Sequence, residues 1–243
     1  MKRAILILGA MALLLGGVGQ AKASPIYNNA NDFSLASNPN GVWSYGSLAG
    51  GSSPNASTFA LYPSNGTASG IDFWGPTSAL SPPVDFHNPN ATVLTFSTIT
   101  MQPGQAAFHP GPNGEYSVYR FTTPTAGSYS LSALFTGIDV GGTTTDVHVL
   151  VNNSPLFNGS INGYNDLNTY STTLALGVGD QVVFVVGFGS NGNYFNDSTA
   201  LDATLKLNAT AVPEPATLTM LGFGIAGLAG YGWRRRKQPV ANA

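Results

Sequence analysis

The middle of the chain is patterned with a period of two. Tyr129, Leu131, Ala133 and Phe135 alternate with Ser128, Ser130 and Ser132 behind Gly127, the pattern of a half-buried strand. Over 145–151, Val147, Val149 and Val151 share one face and Asp146 and His148 the other. Leu201, Ala203, Leu205 and Leu207 alternate in the same way with Asp202, Thr204 and Lys206. The run 181–188 (QVVFVVGF) is apolar without a break and rich in β-branched residues, which predicts a central strand covered on both faces. Further strands are predicted near 41–45, 58–62, 71–74, 92–99, 105–108 and 115–121. Gly, Pro, Asn and Asp turns separate them, Gly177-Val178-Gly179-Asp180 among them. Away from the termini no stretch shows a helical period. The expectation is an all-β domain over 57–207, a β-sandwich of jelly-roll type. Residues 24–56, rich in Asn, Gly and Ser, form an extended N-terminal arm or the first strands, and 208–211 a linker.

Both ends break this pattern. Met1-Lys2-Arg3 is followed by an apolar run over 4–18 and then by Ala21-Lys22-Ala23-Ser24. A basic start, a short apolar helix and an A-x-A site make a secretory signal peptide over 1–23, cut between Ala23 and Ser24 by signal peptidase after passage through the Sec machinery. An uncleaved anchor, the competing reading, needs ~20 apolar residues, more than this run offers. At the other end, Val212-Pro213-Glu214-Pro215 precedes an uncharged stretch over 216–233, and Arg234-Arg235-Arg236-Lys237 closes it before a short tail over 238–243. The two prolines keep the first part extended. The uncharged stretch predicts a transmembrane helix whose five glycines permit close packing. The four cations hold its end in the cytoplasm, with Trp233 at the boundary.

The order V-P-E-P, Gly-rich span and Arg cluster over 212–237 resembles the PEP-CTERM sorting signal of Gram-negative bacteria, a tail also described as an ice-binding protein C-terminal domain, a label that by itself says nothing about ice. The resemblance implies recognition by an exosortase, removal of the span, and delivery of a membrane-held precursor to the cell envelope, its outer surface or the extracellular matrix. An ordinary single-pass anchor with a proline-rich linker is the alternative. Residues 40–207 are also similar to domains on other PEP-CTERM proteins and, in general pattern only, to carbohydrate-binding jelly rolls. Neither similarity brings a diagnostic binding motif.

Charge is segregated in a way that supports this division. Between 24 and 211 there are two cations, Arg120 and Lys206, against ten carboxylates, whereas the other seven cations sit at the ends. Such a domain has no basic footprint, which excludes nucleic acid as a partner. Cysteine is absent, so neither disulfides nor thiolate chemistry are available. Charged residues are only 8% of the chain, but an apolar content of 43% distinguishes it from a disordered one.

Candidate chemistry is sparse. His148 and Asp146 share a strand face, a geometry suited to a metal, yet no third ligand is spaced to join them, so no metal is expected there. His87 and His109 sit in Pro/Asn-rich loops, His109 not far from Glu115. A hydrolase needs two carboxylates at a set separation, and neither G-x-S-x-G, H-E-x-x-H nor a phosphate loop occurs. The expectation is therefore no catalytic residue. Asn193, Asn196, Asp197 and Asp202 bring together oxygens of the kind Ca²⁺ prefers, without EF-hand spacing; no other cofactor is implied. Trp43 and Trp74, with Tyr45 and Tyr62, would stack on sugar rings if exposed, and otherwise belong to the core. The reading that follows is an exported, non-catalytic surface or matrix protein that binds exopolysaccharide. A secreted carbohydrate-active hydrolase on the same scaffold and a purely structural coat protein are the alternatives.

Overall fold

The computed structural model describes residues 23–209 and 216–236. The signal segment 1–22, the V-P-E-P motif (212–215), Lys237 and the tail 238–243 lie outside the described residues. Pro25–Asn208 is one compact unit.

The alternating segments become two antiparallel sheets. The first runs β14 (Leu167–Leu176), β11 (Gly127–Gly137), β16 (Thr199–Leu207), β9 (Ala106–His109), β6 (Val84–His87), β5 (Ile71–Gly75) and β4 (Ser64–Ala68), with β1 (Ile26–Asn28) also paired to β16. The second runs β13 (Ser154–Asn162), β12 (Thr144–Val151), β15 (Gln181–Gly187), β10 (Tyr116–Thr122), β2 (Trp43–Leu48) and β3 (Ala60–Leu61). A hairpin of β7 (Leu94–Phe96) and β8 (Ile99–Met101) stands apart. From β9 onward the chain passes repeatedly from one sheet to the other, so the connections interleave as in a jelly roll. β1 and β2 bring the segment 24–56 into the two sheets.

Inward-facing residues of both sheets meet in one core: Tyr129, Leu131, Ala133 and Phe135 of β11 and Leu201, Ala203 and Leu205 of β16 face Tyr119 and Phe121 of β10, Val147 and Val149 of β12 and Phe184 of β15. The Tyr119 hydroxyl crosses the sandwich to the carbonyls of Phe86 and Ala107, both at 3.1 Å. Outside this core each sheet has a second, smaller one. The β7–β8 hairpin covers Ile71, Phe73, Phe86 and Ala107 with Leu94, Phe96 and Met101. On the second sheet, Phe59 and Ala56 pack on Leu48, Val118, Val183 and Val185. β15 is thereby buried on both faces, as its unbroken apolar run requires; Val182 through Val186 are all 0% exposed.

Gly46 shows how closely β3 is laid on β2. A Cβ there would lie 2.3 Å from the Ala60 carbonyl oxygen and 2.7 Å from the Phe59 ring. Gly46→Ala should therefore destabilise the domain by about 1–3 kcal/mol through overpacking, read from the urea midpoint.

The C-terminal segment forms one helix, α1 (Ala216–Arg236). The transmembrane expectation over 216–233 needs correction here. Among the described residues no helix is long and apolar enough to cross a membrane. The cause lies in its own composition: Gly222, Gly224, Gly227, Gly230 and Gly232 alternate with the larger side chains, and Thr217, Thr219, Tyr231 and Trp233 add polar atoms.

Candidate functional site

The aromatic candidates go to the core. Trp43, Tyr45, Tyr62 and Trp74 are at most 5% exposed. Trp43 Nε1 donates to Asp32 Oδ2 at 3.1 Å and Trp74 Nε1 to the Ser34 carbonyl at 2.8 Å. Tyr45 and Trp74 stack on each other at 5.9 Å. No sugar can reach these rings, and a Trp43/Trp74 platform is corrected to a core pair.

The predicted oxygen cluster also separates. Asn193 uses its side chain within its own turn, accepting from Phe195 N at 3.0 Å. Asp202 is exposed on β16, where Asn28 Nδ2 donates to it at 2.7 Å. Asn196, in the left-handed region at φ 61°, accepts from Thr98 Oγ1 at 3.2 Å. Asp197 alone goes inside, 0% exposed, its Oδ1 accepting from Thr144 N at 2.9 Å and Thr144 Oγ1 at 3.1 Å.

Asp139 lies near enough to act electrostatically on Asp197. Asp139, 1% exposed at the end of β11, accepts from Ser198 N through Oδ2 at 3.2 Å. Three buried oxygens on these two segments receive no hydrogen bond: Asp139 Oδ1, Asp197 Oδ2 and Ser198 Oγ. Burial, reinforced by the fields of Asp139 and Asp146 against two hydrogen bonds from Thr144, pushes the Asp197 carboxyl up to about 7. The segments are fitted closely, since a Cβ on Gly141 would lie 2.7 Å from Asn196 Cγ. The sequence signal was D-V-G-G-T, which reads as a turn because its Gly pair is the louder feature.

The histidines are accounted for by neighbours. His148 Nε2 meets Asp146 Oδ2 at 2.7 Å and Nδ1 meets Asn158 Oδ1 at 2.6 Å, an ion-pair geometry beside a polar cavity of about 190 Å³. Asp146 is held below the usual carboxylate range: the bonds from His148 and Gly189 N outweigh the upward push of burial. His109 Nδ1 lies 2.8 Å from the Pro110 carbonyl oxygen, while Glu115 turns to Asn113 instead. His87 stacks on Phe33 at 5.1 Å. Among the described residues no three His, Cys, Asp or Glu side chains gather to hold a metal.

An open concavity lies on the outer face of the first sheet. It is a shallow groove of about 500 Å³ lined by Ser130, Leu131 and Ser132 of β11, Ser171, Thr172 and Thr173 of β14, and Thr204 and Lys206 of β16. Register aligns these side chains: Ser132 lies opposite both Ser171 and Thr204, and Ser130 opposite both Thr173 and Lys206. Adjacent strands lie about 4.8 Å apart, so the hydroxyls form short rows across the sheet. The period-two pattern had placed these serines on the polar face; the partner strand β14 was not foreseen.

At the C-terminus, Arg234 ends the described side chains of α1, exposed. Ala23, on the amino side of the expected signal cleavage, is exposed in irregular backbone before β1, and Ser24 is half-buried. Comparison with known families decides what the tail is. Residues 211–237 match the PEP-CTERM protein-sorting motif. The chain carries a PEP-CTERM sorting signal. An exported, cell-surface-directed protein follows from it, consistent with an exosortase substrate. No curated protein matches the chain. Among solved structures, CBM51 from Clostridium perfringens GH95 in complex with methyl-galactose is 15% identical, with 60% of this chain and 94% of that one covered and a TM-score of 0.34. A family 35 carbohydrate binding module from Clostridium thermocellum is 12% identical, with 56% and 87% covered and a TM-score of 0.27. CBM51-2 with GlcNAc and INT domains from Clostridium perfringens ZmpB is 14% identical, with 44% of this chain covered and a TM-score of 0.32; the chain spans 22% of that structure. Scores this low leave the function to be argued from the chain's own residues.

Proposed function

We propose that the chain is an exported, non-catalytic β-sandwich protein that is processed by an exosortase and holds polysaccharide on the hydroxyl groove of its first sheet. The observation that carries the reading is the sorting motif at 211–237, set immediately after a self-contained β unit, Pro25–Asn208. The signal sequence supplies the other half of the route. Sugar binding is supported by the groove, where Ser130, Ser132, Ser171, Thr173 and Thr204 offer donors and acceptors in rows and Lys206 adds a cation. Hydroxyl rows match the hydroxyl rows of a glycan; a shallow open groove suits a polymer better than a small molecule.

Two measurements test this. In an exosortase-bearing host, Glu214→Gln should keep the chain at its unprocessed mass, whereas the parent chain is shortened and delivered outside. In affinity electrophoresis with a neutral exopolysaccharide, Ser132→Trp should lower retention about tenfold by filling the groove, with the thermal midpoint unchanged. Retention that ignores Ser132→Trp would overturn the groove assignment. Release of reducing ends from the polymer would favour the hydrolase instead.

A further inference from the structure

We propose that the buried end of the sandwich formed by Asp139, Asp197 and Ser198 is a binding site for a hard divalent cation, calcium. Each carboxylate has one oxygen committed to the fold, Asp139 Oδ2 to Ser198 N and Asp197 Oδ1 to Thr144. Each has its other oxygen buried with no hydrogen bond from the protein, and Ser198 Oγ is the third such atom on the same two segments. Unsatisfied buried oxygens are rare in native proteins and call for an explanation atom by atom. Here three occur on two adjoining loops.

Charge points the same way. Two buried carboxylates whose fields reach one another repel and forgo hydration, a cost that a bound cation relieves. No lysine or arginine bonds to either among the described residues. Arg120 sits over the Phe59 ring at 3.7 Å and Lys206 lines the groove on the outer sheet face. Asp146, the third carboxylate whose field reaches Asp197, already has His148 as partner. His109, whose ring feels Asp139, is pushed down by burial, which disfavours its charged form. A divalent cation between Asp139 and Asp197 would balance both charges at once.

The donors select its kind. Carboxylate and hydroxyl oxygens, with neither sulfur nor an imidazole nitrogen committed to the cluster, form a hard donor set, which suits Ca²⁺ rather than zinc or copper. Water would complete the remainder of the roughly six to eight oxygens that Ca²⁺ takes. The site fixes β11 against β16 through the loops that precede β12 and β16, so calcium would act as a clasp on an extracellular domain without disulfides.

The test uses the full chain stripped with EDTA and titrated with CaCl₂ alone, followed by calorimetry for binding and by thermal unfolding. One Ca²⁺ per chain and a raised midpoint are expected. Asp139→Asn and Asp197→Asn should each weaken binding about tenfold or more, while Asp202→Asn, on the exposed face of β16, leaves it intact. Should either core variant fail to fold, hydrogen exchange on the parent chain still decides, with calcium-dependent protection expected at 139–143 and 196–199. The proposal is overturned by absence of binding heat and midpoint shift in the parent chain, by binding that survives both core substitutions, or by protection centred elsewhere. In the first case water or a proton serves these oxygens instead.

Discussion

Asp85→Ala should be among the most destabilising single changes in this domain, costing about 3–5 kcal/mol in urea denaturation. Asp85 stands on β6 of the first sheet, 0% exposed, and reaches across the sandwich. Ser117 Oγ of β10 donates to its Oδ1 at 2.7 Å and Gly46 N of β2 to its Oδ2 at 3.1 Å. The Tyr62 hydroxyl joins through Ser117 Oγ at 2.8 Å. Truncation would strand an amide and a hydroxyl in a dry core and leave a small cavity beside them. Each stranded group costs about 1–3 kcal/mol.

The same residue gives the domain a pH dependence of definite sign. Burial raises the Asp85 carboxyl well above its usual range, against the lowering effect of the bonds from Ser117 and Gly46. The folded state then holds this proton more tightly than the unfolded chain. Its contribution is fully present below the ordinary carboxylate range and is lost as pH rises towards the raised value, by at most about 1.4 kcal/mol per pH unit. Glu115, Asp146 and Asp180, held below their usual range, act in the opposite direction as pH falls. Asp85→Asn isolates the effect. The amide can accept from Gly46 N and donate to Ser117 Oγ, so it should stay folded and show a flatter stability profile as pH rises above the ordinary carboxylate range. An unchanged profile would mean that Asp85 is ionised in the fold and compensated in some other way.

The sequence disclosed the elements whose signal is intrinsic to one strand. β11 alternates cleanly because it has one buried face, β12 and β16 keep the alternation although Leu150 and Ala200 are buried on the opposite face, and β15 is uninterrupted because it has no exposed face. β13 and β14 escaped notice for the converse reason. Both are outermost strands, and β14 (LNTYSTTLAL) exposes or half-exposes all but its last residue, so little apolar periodicity remains to be read. The sorting signal was legible because it is a linear motif, recognised in the chain as written. The cluster of Asp139, Asp197 and Ser198 was not, since its members lie about sixty residues apart in sequence and meet only when β11 pairs with β16. Asp85 follows Pro82-Pro83-Val84, a context that does not mark an acidic residue for the core. Only the register of β6 against β9 turns it inward.

Trp43→Ala is expected to unfold the domain rather than to remove a ligand contact, and the difference is measurable. An exposed platform tryptophan can be truncated with little cost to the midpoint and a large cost to sugar affinity. Trp43 is 0% exposed, packs edge-on against Phe121 at 5.6 Å and against Phe184 at 6.3 Å, and holds Asp32 through Nε1. Asp32 Oδ2 in turn accepts from Asn28 N at 2.9 Å, the last residue of β1. Removing the indole therefore empties the space between β2, β10 and β15 and frees the turn that leads out of β1. The expected loss is about 3–5 kcal/mol. Trp43→Phe keeps part of the volume and should cost less, with the Asp32 bond lost in both. Retention on exopolysaccharide by the folded Trp43→Phe chain should equal that of the parent, because its groove lies on the outer face of the other sheet. A drop in retention at an unchanged midpoint would instead return the aromatic residues to the binding surface and displace the hydroxyl rows from that role.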